Sequence, residues 1–261
     1  MNFLSSILEA YSTFFKSISF TLKNFPWVLV YPFLFFILII LLSLYIEGSL
    51  YDYFSAKLFY LLSLENPDVF ILKLLKFLVK GILYIFFKLI IFFFFFYFSG
   101  QIVLMLMTPV LSYASEKTEK ILTNVSYTFS FKIFIRQVFR SLLLSFRNLS
   151  IQLLVMLLVV IITFIPILGW MIIPLSFIVV FIVNSYFLGF SFLDFSFERK
   201  NYSINQTVNI IRKNKGLAIG YGSIYYVFMM IPFLGNFLAP FVAVFCVVGS
   251  TISIEKSKLY D

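Results

Sequence analysis

The chain has 261 residues, 62% of them hydrophobic, 21% aromatic and only 12% charged, with a formal net charge of +9. Soluble domains run at about 45–50% apolar and about 25% charged, so a water-soluble fold is excluded. Runs such as Phe92 to Phe96 would be an aggregation hazard anywhere but in lipid. Histidine is absent, which removes His-based triads, His-containing metal sites and the commonest general base. No G-x-S-x-G, G-x-x-x-x-G-K or G-x-G-x-x-G occurs either, so an enzyme is the weakest class, and no metal or cofactor is expected.

Residues 1–25 lack a signal-type apolar core with a small-residue cleavage site, and are expected to stay on the protein. Phe3, Leu4, Ile7, Leu8, Tyr11, Phe14, Phe15 and Ile18 recur at helical spacing, which predicts an amphipathic helix at the membrane surface. The first spanning segment is expected over 27–46, about the 20 apolar residues that the hydrocarbon core requires. A polar stretch with Glu47, Asp52, Lys57, Glu65 and Asp68 follows, turning at Asn66-Pro67-Asp68.

From Val69 to Thr108 the pattern stays helical for longer than a bilayer needs, so residues 82–108 are assigned to the second span, ended by Pro109. Lys73, Lys76, Lys80 and Lys88 share one helical face, with Tyr84 between the last two. A lysine inside an apolar run, as Lys88 is, needs a partner, a wet cavity or a route to the interface. It either snorkels to the headgroups or helps to line an anion path, and in the second case Lys88→Gln reduces flux.

After a polar stretch from Ser112 to Asn124, Lys132, Arg136, Arg140 and Arg147 form one basic helical stripe. Contact with lipid phosphates is the plain reading and an anion path the sharper one. Glu116, Glu119, Asp194 and Glu198 lie where they could pair with these cations or remain solvated.

Two apolar hairpins then look like copies, over 149–193 and 217–254. Each is centred on I-P-x-L-G followed by proline five residues on: Pro166, Gly169 and Pro174 in the first, Pro232, Gly235 and Pro240 in the second. Proline and glycine here have an architectural explanation. Arms of about 15 residues in the second hairpin fall short of the roughly 17 needed to cross, which predicts partial penetration with close packing or oligomerisation. Cys246, the one cysteine, sits in an apolar run and is expected to be packed and inert.

With both hairpins and both termini on one side, 15 of the 20 basic residues gather there, which makes that side cytoplasmic. Topology and anionic lipid account for the positive charge without nucleic acid. The whole chain, 1–261, is expected to be one membrane domain, all-α.

Several elements in order resemble the CysZ/etoposide-induced membrane protein family. They are Pro109-Val110-Leu111 with Glu116 and Glu119, the Arg136/Arg140 stretch, Ile165-Pro166-Ile167-Leu168-Gly169, and Phe192-Leu193-Asp194 with Glu198-Arg199-Lys200. Arg212-Lys213-Asn214-Lys215-Gly216, Gly220-Tyr221-Gly222 and Ile231-Pro232-Phe233-Leu234-Gly235 with Pro240 complete the series. The resemblance implies two long transmembrane helices, two re-entrant or hemi-penetrating helical hairpins and a homo-oligomer. It also implies an inner-membrane permease for an inorganic anion, with sulfate the leading substrate, supplying sulfur assimilation. Where sulfate-permease members share a glycine–hydrophobic–arginine element, this chain reads Lys23-Asn24-Phe25-Pro26-Trp27-Val28, leaving Lys23 as the local cation. The reading from a different class is a non-transporting membrane scaffold or biogenesis factor.

Overall fold

The computed structural model describes residues 2–61, 70–125, 131–163, 165, 168–200, 202–231 and 234–257, and the regular structure among them is helical. The helices are α1 (Phe3–Asn24), α2 (Val30–Leu61), α3 (Phe70–Leu106), α4 (Thr108–Thr123), α5 (Phe131–Thr163), α6 (Leu168–Arg199), α7 (Ile204–Lys213), α8 (Lys215–Met229) and α9 (Leu234–Ser257), with a 3-10 turn at Pro26–Leu29. The protein is an all-α membrane protein. It divides into two units, Met1–Phe35 with Gly100–Asp261, and Phe36–Ser99.

The smaller unit holds most of α2 and α3. Tyr51 packs against Tyr84 and Phe54 against Phe87, and around this contact Ser55, Phe87 and Ile91 are buried. Most other described side chains here are outward and apolar, as a helix pair solvated by lipid requires.

The larger unit is built around α9 and α8. Small residues let the backbones come together where lipid supplies no hydrophobic drive between helices. On α8, Gly216 and Gly220 face α1: a Cβ at Gly216 would lie 2.6 Å from the Phe3 carbonyl oxygen, and one at Gly220 2.5 Å from the Ala10 Cβ. A second pair, Ala218 and Gly222, faces α6. There a Cβ on Gly189 would fall 1.7 Å from the Ala218 oxygen, and one on Gly222 1.6 Å from the Ser185 oxygen. Gly235 serves the turn before α9, since a Cβ would sit 2.7 Å from the last carbonyls of α8 at Phe228 and Met229.

Helix α1 carries three stripes, each recurring at helical spacing. Ser6, Ala10, Thr13, Phe14, Ser17 and Thr21 are buried against α8 and α9. Leu4, Leu8, Tyr11, Phe15 and Leu22 are exposed and apolar, and Asn2, Ser5, Ser12, Lys16, Ser19 and Lys23 are exposed and polar. At 100° per residue the stripes lie roughly a third of a turn apart. The inward hydroxyls bond across helices: Thr13 with Tyr221 and with Ser253 at 3.0 Å, Tyr221 with Ser253 at 2.7 Å, and Ser17 to the Phe245 carbonyl at 2.8 Å.

The segments expected as hairpins hold the helix pairs α5/α6 and α8/α9, each pair packed together. Among the described residues three stretches are long and apolar enough to cross a bilayer, Leu142–Thr163, Leu175–Arg199 and Phe237–Ser257, and all belong to these hairpins. Arms of about 15 residues hold for α8, whereas α9 has 24 residues and is about 36 Å long. The sequence pattern undercounts α9 because Pro240 and the hydroxyl-rich Ser250-Thr251-Ile252-Ser253 look like ends. In the fold the helix runs through Pro240, and Ser250, Thr251 and Ser253 find partners inside the unit. Helix α9 is largely enclosed by protein, while α5 shows Leu142, Leu143, Phe146, Leu154, Leu157 and Leu158 outward.

Phe181 of α6 stacks beside Tyr226 of α8, and α8 ends three residues later. Helix α6 therefore runs about 15 Å beyond the end of α8, so the first hairpin outreaches the second.

Candidate functional site

Three features gather between α5 and α6 along the α5 face on which Arg140, Leu144, Asn148 and Gln152 recur one helical turn apart. At one end Arg140 donates two 2.9 Å bonds to the Asp194 carboxylate and a third, 3.0 Å, to the Thr207 hydroxyl of α7. Asp194 is almost fully buried and Arg140 nearly so, and the fork geometry satisfies both carboxylate oxygens of a group that cannot reach water. Helix α7 is set for this contact by a reciprocal cap, Ser203 accepting from the Gln206 amide while the Gln206 side chain accepts from Ser203 N–H.

Two turns further along lies Asn148, with no exposed surface. Its Oδ1 accepts from Arg147 at 3.3 Å, and its Nδ2 has no protein acceptor. The charges of Arg147 and Arg212 both act on the phenol of Tyr186 of α6. One turn beyond, the Gln152 amide donates to Asn184 Oδ1, and Asn184 Nδ2 donates to the Tyr226 hydroxyl at 3.0 Å. From Arg140 to Gln152 this polar seam extends about 18 Å, most of it inside stretches apolar enough to cross a membrane. Polar groups at such depth are costly and are kept where they bind one another or a passenger.

A second charged cluster closes the end of the unit where α4, α6 and α9 finish. Arg199 donates to Glu119 through Nε at 3.1 Å and Nη2 at 2.9 Å, and to the Ser112 carbonyl at 3.3 Å. Lys200 stands 2.8 Å from Glu255 and 3.7 Å from Glu119. Ser115, Ser196 and Thr251 bond to one another just behind it. With four charges of balanced sign tied across three helices, this cluster is a clamp.

Of the cations singled out from sequence, Arg140 and Arg147 enter the seam; the side chain of Arg136 lies outside the described residues. Lys23 is exposed on the polar stripe of α1. Lys80 and Lys88 belong to the smaller unit, where both are exposed and the Lys88 ammonium stands 4.8 Å from the Tyr84 ring, one turn back towards Lys80. That is the direction a snorkelling lysine takes. Among the acids, Asp194 meets Arg140 and Glu119 meets Arg199, while Glu198, next to Arg199 in sequence, is buried. Glu116 is half-buried near Tyr113, whose phenol burial pushes above its usual range, with Glu116 adding to the effect. Pro166 and Pro232 lie outside the described residues. Gly169 and Gly235 are each the second residue of the returning helix, and Pro174 and Pro240 fall inside it.

The site candidates read from sequence did not include Asn148, Gln152, Asn184, Tyr226 or Glu255, and Arg199 and Lys200 entered only through the family resemblance. Amides embedded in runs otherwise made of Leu, Ile, Val and Phe were the available signal for the first three.

The profile of the family described as Sulfate transporter CysZ/Etoposide-induced protein 2.4 matches residues 13–240. No curated protein sequence matches the chain.

Proposed function

Because the chain belongs to the sulfate transporter CysZ/etoposide-induced protein 2.4 family, a family of multi-pass membrane transporters, we propose that it is a permease for an inorganic oxyanion, with sulfate the leading substrate, and that the α5/α6 seam handles the anion. The observation that carries the proposal is a line of donors, from half-buried Arg140 and Arg147 to buried Asn148, Gln152 and Asn184, inside an otherwise apolar hairpin. An oxyanion cannot enter hydrocarbon without donors to replace its water, and a hairpin built only to be stable has little use for amides there.

Basic residues at the clamp end favour that end as the cytoplasmic side of an inner membrane, with both termini inside. On this reading the two hairpins enter from the cytoplasm to different depths, and α1 lies along the lipid–water boundary, where each of its stripes meets its own medium. On this reading several copies assemble into a homo-oligomer.

Radiolabelled sulfate uptake into liposomes holding the purified protein tests the proposal. Saturable uptake above that of empty vesicles supports it. No uptake of sulfate, sulfite or other oxyanions would favour the scaffold reading instead.

A further inference from the structure

The arginines of the seam are charged and largely engaged. Arg140 gives three bonds to Asp194 and Thr207 through its two terminal nitrogens and keeps a buried Nε–H without a protein acceptor; an anion that drew the terminal nitrogens away would leave Asp194 buried and unbalanced. Arg147 holds the Asn148 oxygen, and its charge, with that of Arg212, acts on Tyr186. These cations raise the local anion concentration without distinguishing one anion from another.

Asn148 differs from them in carrying no charge. By accepting from Arg147 through Oδ1, its amide is turned so that Nδ2 points away from the guanidinium, and that nitrogen is buried with no acceptor. A wholly buried donor left open is costly unless something visits it. Next to it the Gln152–Asn184–Tyr226 chain donates in one direction across three helices, which fixes the wall one turn deeper.

We infer that Asn148, backed by the Gln152–Asn184–Tyr226 chain, forms an uncharged subsite for a desolvated tetrahedral oxyanion, and that this subsite selects oxyanion over halide. The inference rests on the permease reading and adds to it the group that discriminates. Neutral dipoles suit the task because a bare cation in low dielectric would hold a divalent anion too tightly to release it. Directional amide donors also match the several acceptor oxygens of sulfate better than a spherical halide.

The test measures sulfate and chloride fluxes in parallel in liposomes holding the full chain, for the parent, Asn148→Leu, Asn148→Asp and Arg147→Gln. The aspartate matches asparagine in size and retains an acceptor for Arg147, so it guards against a folding defect in the leucine variant. Losing one hydrogen bond to a charged group should lower sulfate flux about tenfold or more in both Asn148 variants. The leucine variant should leave chloride flux unchanged, whereas Arg147→Gln should lower both fluxes together. A parent that carries no anion overturns the permease reading. A parent that carries sulfate, with the sulfate-to-chloride ratio unaltered in both Asn148 variants, overturns this inference alone.

Discussion

Replacing Gly222 with alanine puts a methyl carbon 1.6 Å from the Ser185 carbonyl oxygen and 2.7 Å from the Gly189 nitrogen. Both obstacles are backbone, so no side chain can turn aside. Reaching an ordinary contact of 3.4 Å moves α6 and α8 apart by roughly 1.8 Å, enough to forfeit most of the dispersion energy along their contact. The same movement breaks the 3.0 Å bond from Asn184 to Tyr226. Overpacking of about 1–3 kcal/mol plus a lost hydrogen bond of about 1 kcal/mol gives a destabilisation of roughly 2–4 kcal/mol. For a unit of this size that corresponds to a melting point about 5–15 °C lower. The control is Gly81→Ala, since nothing lies within 4 Å of the new methyl and alanine is favoured in a helix by about 1 kcal/mol. Melting followed by intrinsic fluorescence in a mild detergent compares the two. Equal midpoints for Gly222→Ala and the parent, or an equal loss in Gly81→Ala, would refute close backbone packing of α6 on α8.

Other expectations follow from the same geometry. Removing either partner of the Arg140–Asp194 pair should cost about 3–5 kcal/mol by leaving a buried charge alone, and Arg140→Leu with Asp194→Leu should recover much of it. A double-mutant cycle on melting midpoints checks this, and additive losses would contradict it. For α1, tryptophan at Leu8 should be quenched by brominated lipid and tryptophan at Ser12 should not; the reverse order would mean that the apolar stripe faces something other than lipid. With Cys246 replaced by alanine, cysteines at Ile165 and Leu234 report hairpin depth. Membrane-impermeant thiol reagents should label the two positions differently, because α6 extends about 15 Å beyond α8.

Much of the fold was legible because lipid leaves a coarse imprint: long apolar runs, I-P-x-L-G turns and basic residues gathered at one end. What the sequence hid was which apolar helix faces lipid. Phe237–Ser257 and Leu142–Thr163 read alike in hydropathy, yet one is enclosed by protein and the other is open. The distinction lies in small residues. Gly216, Gly220 and Gly222 look like helix breakers in isolation, and only with Ala10, Ser185 and Gly189 opposite them do they become contact surfaces. The site was harder still. Formal charge drew attention to Lys80 and Lys88, while the deepest polar groups in the seam are uncharged amides whose importance comes from burial and from partners more than 30 residues away in sequence.

Sulfate uptake by liposomes holding the parent, Gln152→Leu or Lys88→Gln protein tests the central claim most directly. The seam predicts saturable uptake by the parent, little by Gln152→Leu, and parent-like uptake by Lys88→Gln. Uptake that survives in Gln152→Leu and disappears in Lys88→Gln would place the anion along α3 and contradict the account.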